Sequence, residues 1–125
     1  MAVNFSESKT KENLMRAFAG ESQARNRYTF AAEQCRREGM QSIGGIFLYT
    51  ADQELAHARR FYELLKPETG TTIFIDGSYP VDEPGSVQDL LQAAAHNENE
   101  EAVDVYPAFA RIAKEEGFYE AASTF

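Results

Sequence analysis

Glu54-Leu55-Ala56-His57 sets a carboxylate and an imidazole three residues apart. On a helix that spacing puts both side chains on one face, one turn apart, where they can touch the same ion. Glu98 and Glu101 stand in the same relation further along the chain, and Glu21 adds another carboxylate near its start. Oxygen and imidazole donors, without thiolates, suit iron or manganese. Helical bundles that hold a carboxylate-bridged metal pair draw one glutamate from each of two helices and Glu-x-x-His from each of the other two. Here a first helix offers Glu21, a second Glu54 and His57, and a third Glu98 with Glu101 to spare. The contribution of a fourth helix is missing.

Each of these signals has a plain alternative. Glu-x-x-His arises by chance in acidic helical chains. Glu98-Asn99-Glu100-Glu101 reads as a wet helix face. A lone Glu21 would sit at a solvated boundary. What separates them from chance is their place on apolar seams drawn at 3-and-4 spacing. The first seam reads Leu14, Ala17, Glu21, Ala24, Tyr28, Ala31, Cys35. The second reads Ile43, Phe47, Thr50, Glu54, His57, Phe61, Leu64, and the third Val87, Leu91, Ala94, Glu98, Glu101, Val105, Ala108, Ile112. All three are apolar or small at their ends and ionisable at mid-length, so four carboxylates and one imidazole are expected in one layer of the core. Buried carboxylates each cost several kcal/mol and repel one another, a difficulty that two bound cations remove. Tyr28, one helical repeat beyond Glu21, is placed to hydrogen-bond a ligand carboxylate. His96 falls off its seam, and Cys35 reads as a small buried hydrophobe.

The elements that must position these groups follow from the punctuation of the chain. Helical patterning runs from about Thr10 to Glu38, with Gly39 as a C-terminal cap. A second helix is expected from Gln41 to Leu65, with Gly44 and Gly45 weakening its start by about 1 kcal/mol each. Lys66 to Gly85 holds three of the four prolines and a short β-like run, Thr71–Ile75, and reads as a crossover. A third helix opens at Ser86, where Ser-x-x-Asp with Asp89 resembles a capping box, and ends at Glu116-Gly117. Pro107 lies inside it and is expected to kink or bulge it. Phe118–Phe125 starts another helical pattern. One tight turn followed by one long crossover suits an all-α, ferritin-like four-helix bundle, here with its fourth helix largely missing.

Composition bounds the rest. A chain of 125 residues makes about one domain, read as spanning residues 1–125 and incomplete at its C-terminus. A formal charge of −8, spread along the chain, argues against nucleic acid and anionic membranes as partners. No apolar run approaches the roughly 20 residues needed to span a bilayer, and the start, Met1 to Asn13, lacks a secretion-signal pattern. One cysteine allows no intrachain disulfide and no cysteine-built metal site. The expected setting is cytoplasmic.

Ala17-Phe18-Ala19-Gly20-Glu21-Ser22-Gln23-Ala24-Arg25-Asn26-Arg27-Tyr28 closely resembles the first-helix signature of rubrerythrins. Tyr106-Pro107-Ala108-Phe109-Ala110-Arg111-Ile112-Ala113-Lys114-Glu115-Glu116-Gly117-Phe118 resembles the end of their third helix and its turn. The resemblance runs over essentially the whole chain. It implies a non-haem di-iron peroxidase that reduces hydrogen peroxide to water with electrons from a rubredoxin-like donor. It implies two iron ions, ferrous or ferric, held by Glu21, Glu54, His57, Glu98 and Glu101, in a site that can also load manganese or zinc. It further implies that Glu101 exchanges with His57 as one iron changes oxidation state. Tyr28 and Tyr106 match positions beside the ligands, with Glu101 the residues expected to serve the reaction, and a homodimer, with helices exchanged between chains as one form of it, is the expected assembly.

The chain departs from the family pattern in stopping before the fourth-helix glutamate and histidine, and in lacking the paired Cys-x-x-Cys of a rubredoxin-like domain. Glu100 stands where an aromatic residue is common, and His96 where an acid is. Two rival readings remain open at this level: a ferritin-like ferroxidase that handles iron, and a metal-free helical interaction module.

Overall fold

The computed structural model of the chain describes residues 3–83 and 85–125. Met1 and Ala2 of the N-terminal stretch, and Pro84 of the crossover, lie outside the described residues. Among the described residues five α-helices follow in order: α1 (Lys9–Arg37), α2 (Gln41–Glu63), α3 (Val87–Glu100), α4 (Tyr106–Glu116) and α5 (Tyr119–Thr124). A π turn, Glu101–Val105, joins α3 to α4 without a break. Among the described residues there is no strand, so Thr71–Ile75 is crossover chain despite its β-like composition. No described helix is long and apolar enough to cross a membrane.

α1 starts where Ser8 accepts a hydrogen bond from the Lys11 amide at 3.0 Å, satisfying one of the free amides of a first turn. Two more are taken from across the fold by Glu116, the last residue of α4. Its Oε2 accepts from the Lys9 amide at 3.0 Å and its Oε1 from the Thr10 amide at 2.8 Å, with the Thr10 hydroxyl also donating to Oε1. Burial pushes the Glu116 pKa up, but the bonds from Thr10 and Lys9 outweigh it and hold the carboxyl below its ordinary 4.5. A depressed folded pKa means that this contribution is complete above the unfolded value and is lost as pH falls through the folded one. Glu116→Gln should therefore cost about 1 kcal/mol near neutral pH. Thermal melts should show the gap between variant and wild type narrowing below about pH 4.5, and an unchanged gap would remove the carboxylate's charge from the account.

α1 ends at Arg37 and is closed off by Gly39, whose φ of 75° is the left-handed value that glycine tolerates. The Met40 amide reaches back to the Cys35 carbonyl at 2.8 Å, closing the turn that lays α2 antiparallel along α1. Gly44 serves this pairing rather than merely weakening α2. A Cβ there would stand 3.2 Å from Cys35 Cβ and 3.5 Å from the Ala32 carbonyl oxygen, so the glycine lets the two helices close up.

The crossover is fastened to α1. Arg16 donates through Nε to the Asp76 carbonyl at 2.9 Å and pairs with the Asp76 carboxylate at 2.8 Å. The Tyr79 hydroxyl donates to the Arg16 carbonyl at 3.3 Å. Ser86 then caps α3, accepting from the Asp89 amide at 3.2 Å.

Pro107 has the effect expected of it, and the form is a π turn. Proline offers no amide to the carbonyl four residues back, and its ring crowds that carbonyl. The helix answers by widening, so that the Tyr106 amide donates to Glu101, five residues back. α4 stops at Gly117, φ 91°, with the Phe118 amide returning to the Ala113 carbonyl at 2.8 Å.

Two apolar clusters hold the helices together. One, near the α1–α2 turn, gathers Tyr28, Cys35, Phe47, Ala51, Val87 and Leu90. The other, toward the opposite end, gathers Leu14, Ala17, Phe61, Leu65, Ala113 and Ala121. Between them along α1 and α2 lie the buried carboxylates Glu21 and Glu54.

Candidate metal centre

Glu21 on α1 and Glu54 on α2 are buried, at 4% and 5% exposure. The α1–α2 pairing makes this unavoidable: both lie on the faces the two helices turn toward one another, with Ala17, Ala24, Ala51 and Ala58 around them on those seams. His57, one turn beyond Glu54, brings Nδ1 to 3.9 Å from Glu21 Oε2 and 3.9 Å from Glu54 Oε2. Ligand atoms of the three residues lie within 4.8 Å of one another.

Those separations are too long for hydrogen bonds. They leave a gap between the three groups into which a cation can enter as the side chains draw in around it. Glu21 Oε2 and Glu54 Oε2 are also buried without any hydrogen-bond partner. A buried charged oxygen left unpaired costs several kcal/mol, and a shared cation is the compensation that this donor set fits.

The remaining carboxylates come from α3 and the π turn. Glu98 and Glu101 line the same cavity as the first three, a space of about 250 Å³ also walled by Phe61 and Tyr106. Two tyrosines hold carboxylates from behind. The Tyr106 hydroxyl donates to Glu21 Oε1 at 2.6 Å, and the Tyr28 hydroxyl donates to Glu98 Oε1 at 2.7 Å. The expectation that Tyr28 bonds a carboxylate of the site is met, with Glu98 as the acceptor. Each bond takes up one oxygen of a carboxylate and leaves the other free for the cavity.

In the metal-free site the titration behaviour follows from crowding. Burial raises the Glu21 pKa, the Tyr106 bond and His57 draw it back, and the charge of Glu98 adds to the rise. Glu101 is pushed up to about 7 by burial and then by the charges of Glu21 and Glu98. Both phenols are raised, first by burial and then by the carboxylates they bond.

The structure corrects the expectation that all five residues share one buried layer. His57 is 59% exposed and Glu98 is exposed, while Glu101 is half-buried. On α2 the buried line passes through Phe47, Ala51, Glu54, Ala58 and Phe61, so Ala58 takes the inner seat and His57 the flank. On α3 Leu90, not Leu91, is buried, and Asn97 is less exposed than Glu98. No described element covers the flank where His57 and Glu98 emerge, which leaves both open to solvent. His96 pairs with Glu100 at 3.6 Å on the exposed face, away from the cavity.

Other lining residues carry no mark in the sequence. Phe125 stacks on Phe61 at 5.5 Å between ring centroids and packs edge-on to Phe109 at 5.4 Å, forming one wall. Arg60, three residues beyond His57, stands at the mouth. The i, i+3 spacing from His57 could have pointed to Arg60; nothing local pointed to Phe125.

The rubrerythrin family model matches residues 12–125. Rubrerythrin of Porphyromonas gingivalis is 51% identical over 118 residues, covering 94% of this chain and 58% of that protein. Rubrerythrin of Clostridium perfringens is 47% identical over 119 residues, with 94% and 61% covered. Among solved structures, nigerythrin in its fully reduced, all-ferrous state superposes with a TM-score of 0.80 at 34% identity, over 98% of this chain and 64% of that one. The chain thus spans about three fifths of the length of the curated relatives it matches.

Proposed function

This chain belongs to the rubrerythrin family, and we propose that it forms the di-iron part of a peroxidase that reduces hydrogen peroxide to water. The observation that carries this reading is the pair of buried carboxylate oxygens without partners, Glu21 Oε2 and Glu54 Oε2, converging with His57 Nδ1. Glu21, Glu54, His57, Glu98 and Glu101 would hold two irons, from carboxylate and imidazole donors that suit that metal.

Bound there, the two ferrous ions would supply two electrons to one peroxide and become ferric. The reaction also takes two protons, giving two waters. Glu101 is the group placed to hold one of them, as a half-buried carboxylate that lines the cavity beside Glu21 and Glu98. The Tyr106 and Tyr28 hydroxyls fix one oxygen each of Glu21 and Glu98, so these carboxylates keep their orientation while Glu101 is free to move. Phe61 and Phe125 wall the cavity and keep bulk water from that side. Electrons come from a rubredoxin-like donor. The open flank beside His57 and Glu98 is the seat of a fourth helix in the assembled protein, and a homodimer is the assembly this reading takes.

Glu101→Ala tests the reading. Peroxide turnover should fall at least about tenfold while iron content, measured by elemental analysis, stays within a few-fold of wild type. Full turnover at normal iron content would remove Glu101 from the reaction.

A further inference from the structure

The crossover does more than return the chain along the bundle: we propose that Asp82 is a positioning residue for the Tyr28–Glu98 hydrogen bond, holding the chain neighbours of both partners at once. Asp82 Oδ2 accepts from Asn97 Nδ2 at 2.9 Å and lies 3.6 Å from Arg27 Nη1. Arg27 precedes Tyr28 on α1, and Asn97 precedes Glu98 on α3. One carboxylate oxygen therefore ties the two helices together one residue away from the point where Tyr28 donates to Glu98.

Arg27 is held on further sides. Its Nε donates to Gln23 Oε1 at 2.6 Å, and its guanidinium carbon stands 5.5 Å from the centroid of the Tyr28 ring. Where Asp82 draws the guanidinium, the face of the Tyr28 ring meets it. The side chains of Arg27 and Asp82 are 17% and 25% exposed, so the pair is shielded enough to act as a fixed contact rather than a loose surface pair.

α3 needs such a tie. Its buried residues are Val87 and Leu90, both in its first turn. Ala94 adds a partly buried contact with the cluster they belong to, and one turn further on, at Glu98, the side chains that meet α1 are polar. Among the described residues the hydrogen bonds that reach α3 there from elsewhere come from Asp82 and Tyr28.

The test uses the metal-free protein with ¹³C-labelled tyrosine, in which the Cζ shift of each ring reports whether its hydroxyl is hydrogen-bonded. Tyr28→Phe and Tyr106→Phe assign the two signals, and Glu98→Ala gives the Tyr28 position without its acceptor. Asp82→Ala should move the Tyr28 signal most of the way to that position and leave Tyr106, bonded to Glu21, where it is. Asp82→Asn, which keeps an oxygen for Asn97 and loses the charge facing Arg27, should give a smaller shift in the same direction. A stationary Tyr28 signal in both variants overturns the proposal, as does joint movement of Tyr28 and Tyr106, which would mean general loosening.

A second readout rests on the metal-site reading above. Ferrous affinity should fall about tenfold in Asp82→Ala, and by no more when Tyr28→Phe is added, because both changes remove one interaction. Additive losses would overturn the coupling. Should the chain bind no iron at all, the di-iron reading fails, while the tyrosine shifts still decide the role of Asp82.

Discussion

Glu54→Gln should weaken ferrous iron binding by more than about 100-fold, beyond the loss that follows from disturbing a ligand's supporting contacts, and the metal-free variant should melt above the wild type. Both results come from one fact. Glu54 is buried at 5% exposure, and its Oε2 has no hydrogen-bond partner. As a ligand, that oxygen carries charge directly to the ion, and an amide of the same shape does not. Without the ion the same oxygen is a desolvated charge beside Glu21, whose own Oε2 is equally unpartnered. Glutamine keeps the volume and removes the repulsion. Relief of about 1 kcal/mol corresponds to roughly 3–4 °C for a chain of this size. Iron titration and calorimetry in chelator read the two halves separately. Affinity within a few-fold of wild type would take Glu54 out of the ligand set, and a lower melting point would show that its charge is compensated without metal.

Loading the chain with ferrous iron under anaerobic conditions should raise its melting temperature by more than about 10 °C. Ligand at about 1,000 times its dissociation constant stabilises the folded state by roughly 4 kcal/mol, and each 1 kcal/mol moves the midpoint of such a chain by about 3 °C or more. The structural reason is local. α1 and α2 already pack along their lengths, whereas α3 buries only Val87 and Leu90. Ions shared among Glu21, Glu54, His57, Glu98 and Glu101 would fasten α3 and the π turn to the first two helices. Manganese or zinc should shift the midpoint in the same direction. A metal-free interaction bundle would instead melt at one temperature with or without iron, and that result would end the metal reading of this chain.

Pattern in the chain reached unevenly into this structure. On α1 the seam Leu14, Ala17, Glu21, Ala24, Tyr28, Ala31, Cys35 is buried at every position, because an uninterrupted helix with one long antiparallel neighbour keeps its helical period from end to end. The caps at Gly39, Ser86 and Gly117 were equally legible, since each answers to chemistry within four or five residues. Glu21 and Glu54 as buried carboxylates came out of the same periodicity.

The third seam did not survive, for a reason that spacing alone cannot encode. The π turn before Pro107 makes a step of five between inward positions, from Glu101 to Tyr106. A seam drawn in steps of three and four therefore ran on to Val105 and Ala108 and passed Tyr106 by. His57 and Glu98 were placed one notch too deep, because burial on the flank depends on whether another element lies over it, and no described element does.

What the sequence determined by itself is therefore the helices, their caps, the donor types and the family, all of which rest on local or periodic chemistry. The tertiary structure alone decided which groups meet: Tyr28 with Glu98, 70 residues away, Tyr106 with Glu21, 85 residues away, and Asp82 between α1 and α3. Those pairings are set by how three helices and a crossover pack against one another, and no spacing along one helix contains that information.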